Sequence, residues 1–182
     1  MPERLKLSYR WVVGLFGLMV GLLLGATFLT RSVLGLDAHS TAIARGGGTT
    51  IIQGGTGSPG GFVPVITTIA FHATKSGNSV TGSFECLAEA PEAGTGSKSA
   101  QFTVNAMYVT GQITGASVQG NTATLTGSAN ITGLGAGSNV SFTFVVQKGG
   151  PGATSVLTVD TLPATSFHEI LLQGSFEVAG EN

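Results

Sequence analysis

The chain has 182 residues, a formal net charge of −1 at pH 7, and only 9% charged against 42% hydrophobic residues. From residue 46 onward it carries three basic and seven acidic residues, a net charge of −4. Proteins that neutralise nucleic-acid phosphates need clustered Lys and Arg. We therefore expect no nucleic-acid partner, and the length suits a single domain of ordinary size.

Residues 11–29 form an uncharged run, WVVGLFGLMVGLLLGATFL, and Arg4, Lys6 and Arg10 precede it. As a helix, the run would span roughly 28 Å, close to the hydrocarbon thickness of a bilayer. The sequence thus predicts one N-terminal apolar helix in a membrane. Basic residues stay on the cytoplasmic side, so residues 1–10 are expected in the cytoplasm and the rest outside.

This segment is either a signal anchor or a cleaved signal peptide. Its basic start suits both, but a signal peptide has a shorter apolar core of about 7–15 residues and a small-residue cleavage site. The best such site, residues 42–44, lies far beyond Leu29. Length and spacing favour the anchor. The predicted location is extracytoplasmic, membrane-anchored or secreted, with the membrane as partner through residues 11–29.

Residues 30–61 are predicted to be a stalk or linker rich in Gly, Ser and Thr. They include Gly46-Gly47-Gly48 and the stretch QGGTGSPGG at 53–61, and such composition is typical of flexible segments. A short strand over 49–52 fits between the two glycine-rich stretches. The predicted β-sandwich domain occupies residues 62–182.

Alternation of apolar and polar residues with a period of two dominates residues 62–182. Residues 65–74 and 79–87 alternate on either side of Lys75-Ser76-Gly77-Asn78, which predicts a hairpin. The further predicted strands are 101–108, 109–118, 122–132, 139–148, 155–159 and 167–178. Such a series predicts an all-β fold, an antiparallel β-sandwich or barrel of about 8–9 strands.

The motif Gly-Ser-Phe-Glu occurs twice, at residues 82–85 and 174–177. In each copy, alternation predicts that the Phe lies on one face of its strand and the Glu on the other. One hypothesis is that the two strands are antiparallel neighbours that close the sheet. The alternative is coincidence in a sequence of restricted composition.

The residues that commonly bind metals are few and scattered. His39, His72 and His168 occur singly, without a second ligand at zinc spacing, so the sequence predicts neither a metal site nor a cofactor. Cys86, the only cysteine, lies in phase with Val80 and Phe84. It is predicted to be a small buried side chain on the core face rather than a reactive thiol.

Glu85, Glu169 and Glu177 are the candidates for a carboxylate pair of the kind that hydrolyses glycosides. Alternation places all three in a water-facing phase, which favours solvated charges over a catalytic pair. The sequence also lacks a G-x-S-x-G nucleophile elbow. We therefore predict that the protein is not an enzyme and has no catalytic, cofactor-binding or metal-binding residues, with a Glu-dependent extracytoplasmic hydrolase as the remote alternative.

Four blocks carry a family resemblance: GFVPVITTIAFHATKSGNSVTGSFECLA, VTGQITGASVQGNTATLTGSANITG, NVSFTFVVQKGGPGATSVLTV and LLQGSFEV. They resemble a loose group of exported bacterial β-domains of unknown function, described as post-COAP-like, over roughly residues 62–178. The chain departs from that group in lacking an Asp/Gly-rich C-terminal strand pair. The resemblance implies export and an all-β fold, and it brings no catalytic residues.

The sequence favours an exported or membrane-anchored bacterial β-domain with a structural or interaction role at the cell envelope. The alternative is an extracellular carbohydrate- or ligand-binding module, with an unidentified protein or polysaccharide as possible partner. Sugars usually stack on exposed Trp or Tyr side chains. Tyr108 is the only such residue after Trp11, so an exposed aromatic cleft around it would favour the alternative.

Overall fold

A computed structural model describes residues 41–53, 64–91, 102–161 and 165–180. The apolar segment 11–29, with its predicted helix, lies outside these residues. Within the described ranges, no helix has the length and apolar character needed to cross a membrane.

Eight antiparallel strands form a closed barrel in which each strand pairs with the next and the last returns to the first. They are β1 (Thr41–Ile52), β2 (Ile66–Ser76), β3 (Ser79–Pro91), β4 (Phe102–Gln119), β5 (Thr122–Gly133), β6 (Gly137–Gln147), β7 (Thr154–Val159) and β8 (Thr165–Ala179). The all-β, antiparallel prediction is confirmed. Of its two architectures the barrel is found and the β-sandwich is wrong, because β8 pairs with β1 and leaves a single closed sheet.

Two tight turns connect strands at one end of the barrel. Ser76 pairs with Ser79, and Gly77 between them has a φ of 57°, so β2 and β3 form the predicted hairpin. Gly120, with a φ of 58°, serves the same purpose between β4 and β5. Left-handed backbone at these positions matches the twist of the flanking strands, and glycine adopts it without a steric penalty.

The interior of the barrel is filled by the inward-facing residues of alternating strands. On β5, Leu125 is fully buried while Thr126 is exposed, and on β6, Phe144 is fully buried while Gln147 is exposed. The predicted core faces of these two strands are confirmed. Because each strand of a closed barrel has one face inside and one outside, strict alternation is the pattern expected of it.

The predicted linker 30–61 is wrong for residues 41–48, which together with the predicted short strand 49–52 form β1. This strand pairs with β2 along one edge and β8 along the other. Gly46 faces the interior and is the register partner of both Phe71 and Phe176, whose ring centroids lie 5.6 Å apart. A Cβ atom at Gly46 would clash with the backbone oxygen of Ser175 and lie only 3.0 Å from Phe176 Cδ1. The glycine is therefore needed for the close approach of β8 and the Phe176 ring and does not mark a flexible linker.

The two Gly-Ser-Phe-Glu copies lie on β3 and β8, which are not neighbours, since β1 and β2 separate them around the barrel. The neighbour hypothesis is wrong, although the predicted faces are confirmed: Phe84 and Phe176 are buried, and Glu85 and Glu177 are exposed. Both phenylalanines join one aromatic cluster inside the barrel, in which Phe71 packs at 5.2 Å from the ring of Phe144.

An ion pair crosses the closing seam between β1 and β8. Arg45 Nε lies 2.7 Å from Glu177 Oε2, and the two side chains are 64% and 57% exposed. Exposed pairs contribute little because water and salt screen them. We expect Glu177→Gln to lower the free energy of unfolding by less than about 1 kcal/mol in urea titrations. A larger loss would mean that this pair holds the seam closed.

Candidate functional site

A β-bulge in β8 brings a carboxyl group into the barrel. Thr49 pairs with Gln173 but Thr50 pairs with Leu171, so Leu172 is an extra residue on β8. An extra residue exchanges the inward and outward faces of the strand beyond it. Glu169 consequently faces inward and is only 1% exposed. The water-facing prediction for Glu169 is wrong, because it extended the phase of the residues after the bulge to those before it.

Two threonines hold one oxygen of this carboxyl group. Glu169 Oε2 accepts hydrogen bonds from Thr50 Oγ1 at 2.5 Å and from Thr67 Oγ1 at 2.8 Å. Both threonines are buried and are register partners on β1 and β2, and their hydroxyl oxygens also contact each other. Three adjacent strands therefore position the carboxyl group.

The two threonine hydroxyls and Glu169 Oε2 form a triangle of oxygens. Each hydroxyl donates its one hydrogen to Oε2. A neutral Glu169 therefore carries its own hydrogen on the other oxygen, Oε1. An ionised carboxylate would accept the same two hydrogen bonds, so burial, and not the number of hydrogens, decides which form is favoured.

Burial acts on two titratable side chains of this region. It raises the pKa of Glu169, and the hydrogen bonds from Thr50 and Thr67 only partly oppose that effect. Burial also raises the pKa of Cys86, and the Glu169 charge raises it further. Since a charged group in an apolar interior is costly, burial shifts both side chains toward their neutral forms.

Two polar atoms beside this triangle have no hydrogen-bond partner. They are the second carboxyl oxygen, Glu169 Oε1, and Ser155 Oγ, and both are buried. Ser155 on β7 is the direct register partner of Glu169 on β8. Directly opposed residues have Cβ atoms about 4.5–5.5 Å apart, so the two side chains are neighbours on the inner wall.

Glu169 and Thr67 border a cavity of about 360 Å³. Most of the other side chains that face it are apolar. The buried described residues of its wall are Ile52, Val65, Thr67, Cys86, Ala88, Met107, Leu157 and Glu169, and the half-buried Phe167 also belongs to the wall and packs against the core. The cavity lies at the end of the barrel where β1 ends and β2 begins, away from the aromatic cluster around Gly46.

Cys86 forms part of this cavity wall and is 2% exposed. The prediction of a small buried side chain on the core face is confirmed. A thiol becomes nucleophilic as its thiolate, and burial makes the thiolate of Cys86 hard to form. Its contribution to the site is shape and apolar surface.

The other candidate Glu and His residues do not lie together with Glu169 in one site. Glu85 and Glu177 lie on the outer surface, so neither shares a face with Glu169. His72 is exposed and lies 3.2 Å from the Ser83 hydroxyl. His168 is exposed at the cavity edge, and His39 lies outside the described residues. No group of three or more potential metal ligands occurs in the described part of the chain.

Tyr108 lies on the outer wall of the barrel and is 39% exposed. It borders a shallow depression together with Leu87, Asn105, Thr132 and Gly133. No second aromatic ring stands among these described residues, so the arrangement falls short of the aromatic cleft that would favour sugar binding through Tyr108.

The alternating pattern predicts Glu169 as a candidate carboxylate but on the water-facing side, and it does not single out Thr50, Thr67 or Ser155, the other buried polar residues of the described interior. One signal was present in the sequence. Ile170, Leu171 and Leu172 are three consecutive apolar residues shortly before Gly174, and they interrupt the alternation of the strand. Such a break, followed by a glycine that here has a φ of 114°, is typical of a β-bulge.

No family model, curated protein sequence or solved structure matches the chain.

Proposed function

We propose that the barrel binds a small, mainly apolar molecule in its interior. The observation that carries this proposal is the cavity of about 360 Å³, with apolar walls and one buried carboxyl group that has an unpartnered oxygen. Ligand sites typically measure about 300–1,000 Å³ and combine apolar walls with a few polar groups that orient the ligand. The interior of an eight-stranded barrel is wide enough to hold one small ligand.

The barrel interior is filled at one level and open at another, and this difference supports the proposal. Aromatic rings fill the level of Gly46, where Phe84 packs against Phe142 with ring centroids 5.2 Å apart. Around Ala88 the inner wall borders the cavity instead, although Phe167 is part of that wall. A purely structural barrel gains most from filling its whole interior, because unfilled volume costs stability. The cavity therefore favours the ligand-binding alternative over a structural role.

The proposal involves binding without chemical conversion. Glu169 and Cys86 both favour their neutral forms, which suits recognition better than proton transfer or nucleophilic attack. The proposal also includes export and anchoring through residues 11–29. Both rest on the sequence, as does the post-COAP-like resemblance. In that arrangement the barrel would present its cavity outside the cytoplasm.

Filling the cavity tests the proposal. Ala88 is 7% exposed and faces the cavity, so Ala88→Phe would place a ring in it. We expect the full chain to bind an apolar fluorescent dye such as N-phenylnaphthylamine, and Ala88→Phe to weaken that binding at least about tenfold. Dye fluorescence titrations measure the effect.

Ala70→Phe is the matched control, because Ala70 is exposed on the outer face of β2. It should leave the affinity for the dye unchanged. Equal binding by the wild type and both variants would place the dye on the outer surface and overturn the proposal, as would an absence of dye binding to the wild type. Circular dichroism spectra confirm that both variants are folded.

A further inference from the structure

The polar groups inside the barrel form a band across four adjacent strands. Thr67 on β2, Thr50 on β1, Glu169 on β8 and Ser155 on β7 are all buried. Thr67, Thr50 and Glu169 satisfy one another through their triangle of contacts. The band ends in the two unpartnered atoms, Glu169 Oε1 and Ser155 Oγ.

These two atoms offer complementary hydrogen bonds. Glu169 Oε2 already accepts from both threonines, so the hydrogen of a neutral Glu169 lies on Oε1, which is then a donor that needs an acceptor. The Ser155 hydroxyl has a hydrogen to donate and lone pairs to accept. A buried polar group without a partner costs about 1–3 kcal/mol, so a third group that both donates and accepts would relieve two costs at once.

We infer that the bound molecule carries an uncharged hydroxyl group, which accepts from Glu169 Oε1 and donates to Ser155 Oγ while its apolar remainder fills the cavity. This inference rests on the proposed function and names the ligand class. A long-chain or cyclic alcohol has the required chemistry: one hydroxyl at the end of an apolar body.

A cationic amine fits this band less well. It would require an ionised Glu169 and would therefore place an ion pair in an apolar interior. A fatty acid would bring a second carboxyl group beside the first. Both ligands carry a desolvation cost that an alcohol avoids.

The groups that face Glu169 from neighbouring strands are consistent with a neutral site. Thr50, Thr67 and Ser155 do not titrate in the ordinary pH range. Cys86 on β3 is the titratable side chain that interacts with Glu169, and burial keeps it protonated. His168, the preceding residue on β8, is exposed at the cavity edge rather than buried in the band.

Three probes that share an octyl group distinguish a hydroxyl, an amine and an ether ligand: n-octanol, n-octylamine and octyl methyl ether. Their binding to the full-length protein is measured by calorimetry at neutral pH. The ether keeps the acceptor oxygen of the alcohol but lacks its donor hydrogen. We expect n-octanol to bind at least about tenfold more tightly than either of the others. Ser155→Ala should weaken n-octanol binding several-fold and bring it closer to the ether.

Glu169→Gln is the second variant, because an amide keeps a carbonyl acceptor and an N–H donor in the same shape. If the inference holds, this variant binds n-octanol within a few-fold of the wild type. Tightest binding of n-octylamine, lost in Glu169→Gln, would instead show an ionised carboxylate and overturn the inference.

The remaining outcomes separate the inference from the function on which it rests. Equal affinities for n-octanol and the ether, unchanged in Ser155→Ala but reduced in Ala88→Phe, would mean that an apolar ligand binds in the cavity and that water satisfies the polar band. The inference would then fail while the proposed function stands. Binding of none of the three probes, together with no dye binding, would overturn both.

Discussion

Replacing Phe144 with Ala is expected to lower the free energy of unfolding by about 3–5 kcal/mol. Phe144 is fully buried, and its ring centroid lies 5.2 Å from that of Phe71 and 4.9 Å from that of Phe84. The substitution removes buried apolar surface and two aromatic contacts together. Because the sheet is hydrogen-bonded all the way round, the wall cannot easily collapse into the vacated space. Urea denaturation followed by circular dichroism measures the loss.

Leu172→Ala is the matched control, since Leu172 is 47% exposed on the outer surface. Its effect should stay within about 0.5 kcal/mol, as for most surface substitutions. If Phe144→Ala and Leu172→Ala shifted the urea midpoint equally, the aromatic cluster would not be the main source of stability inside the barrel. Phe144→Leu should fall between the two, because it keeps part of the buried surface.

Alternation predicted the faces of several strands because a barrel strand has an apolar inner face and a polar outer one. It identified Ile69 and Phe71 on β2, Leu125 on β5 and Phe142 on β6, all of which are buried. The same pattern describes a strand of a sandwich equally well. Alternation indicates which side of a strand is buried. Closure of the sheet into a barrel depends instead on which strands pair, and strand pairing is a long-range property of the chain.

The strand that closes the barrel was the hardest to predict. Three consecutive glycines, Gly46 to Gly48, have low strand propensity and suggest a linker. The reason for Gly46 lies in a distant part of the chain, because it makes room for the backbone of Ser175 and the ring of Phe176, which are close to it only after folding. No local signal in β1 predicts that contact.

The candidate site was missed for a related reason. A single extra residue, Leu172, decides whether Glu169 faces water or the interior. Alternation puts Thr67 in phase with the buried Ile69 and Ser155 in phase with the buried Leu157, but hydroxyl residues are abundant in this chain and do not by themselves predict a polar interior. Their inward position becomes meaningful only through Glu169, since a buried carboxyl group needs hydrogen-bond partners. Cys86, by contrast, could be placed correctly from its own strand.

Glu169 is expected to make the protein less stable as the pH rises, and Glu169→Gln should abolish that dependence. Burial raises the folded-state pKa of Glu169 above its ordinary value of 4.5. The folded protein therefore holds this proton more tightly than the unfolded chain. The resulting stabilisation is fully present below the ordinary pKa and is lost as the pH rises through the folded-state pKa. Between the two pKa values, the free energy of unfolding should fall by up to about 1.4 kcal/mol per pH unit.

Urea titrations at a series of pH values from 4 to 8 measure this loss, and the difference between wild type and Glu169→Gln isolates the contribution of Glu169 from that of other groups. The variant should be the more stable protein at the upper end of the series, because its amide never has to ionise in the interior. Glu85→Gln, on the outer face of β3, should follow the wild-type profile. Parallel profiles for wild type and Glu169→Gln would mean that Glu169 ionises equally well in the folded and unfolded protein. Glu169 would then not favour its neutral form beside Thr50 and Thr67, and the reason for expecting an uncharged ligand would be lost.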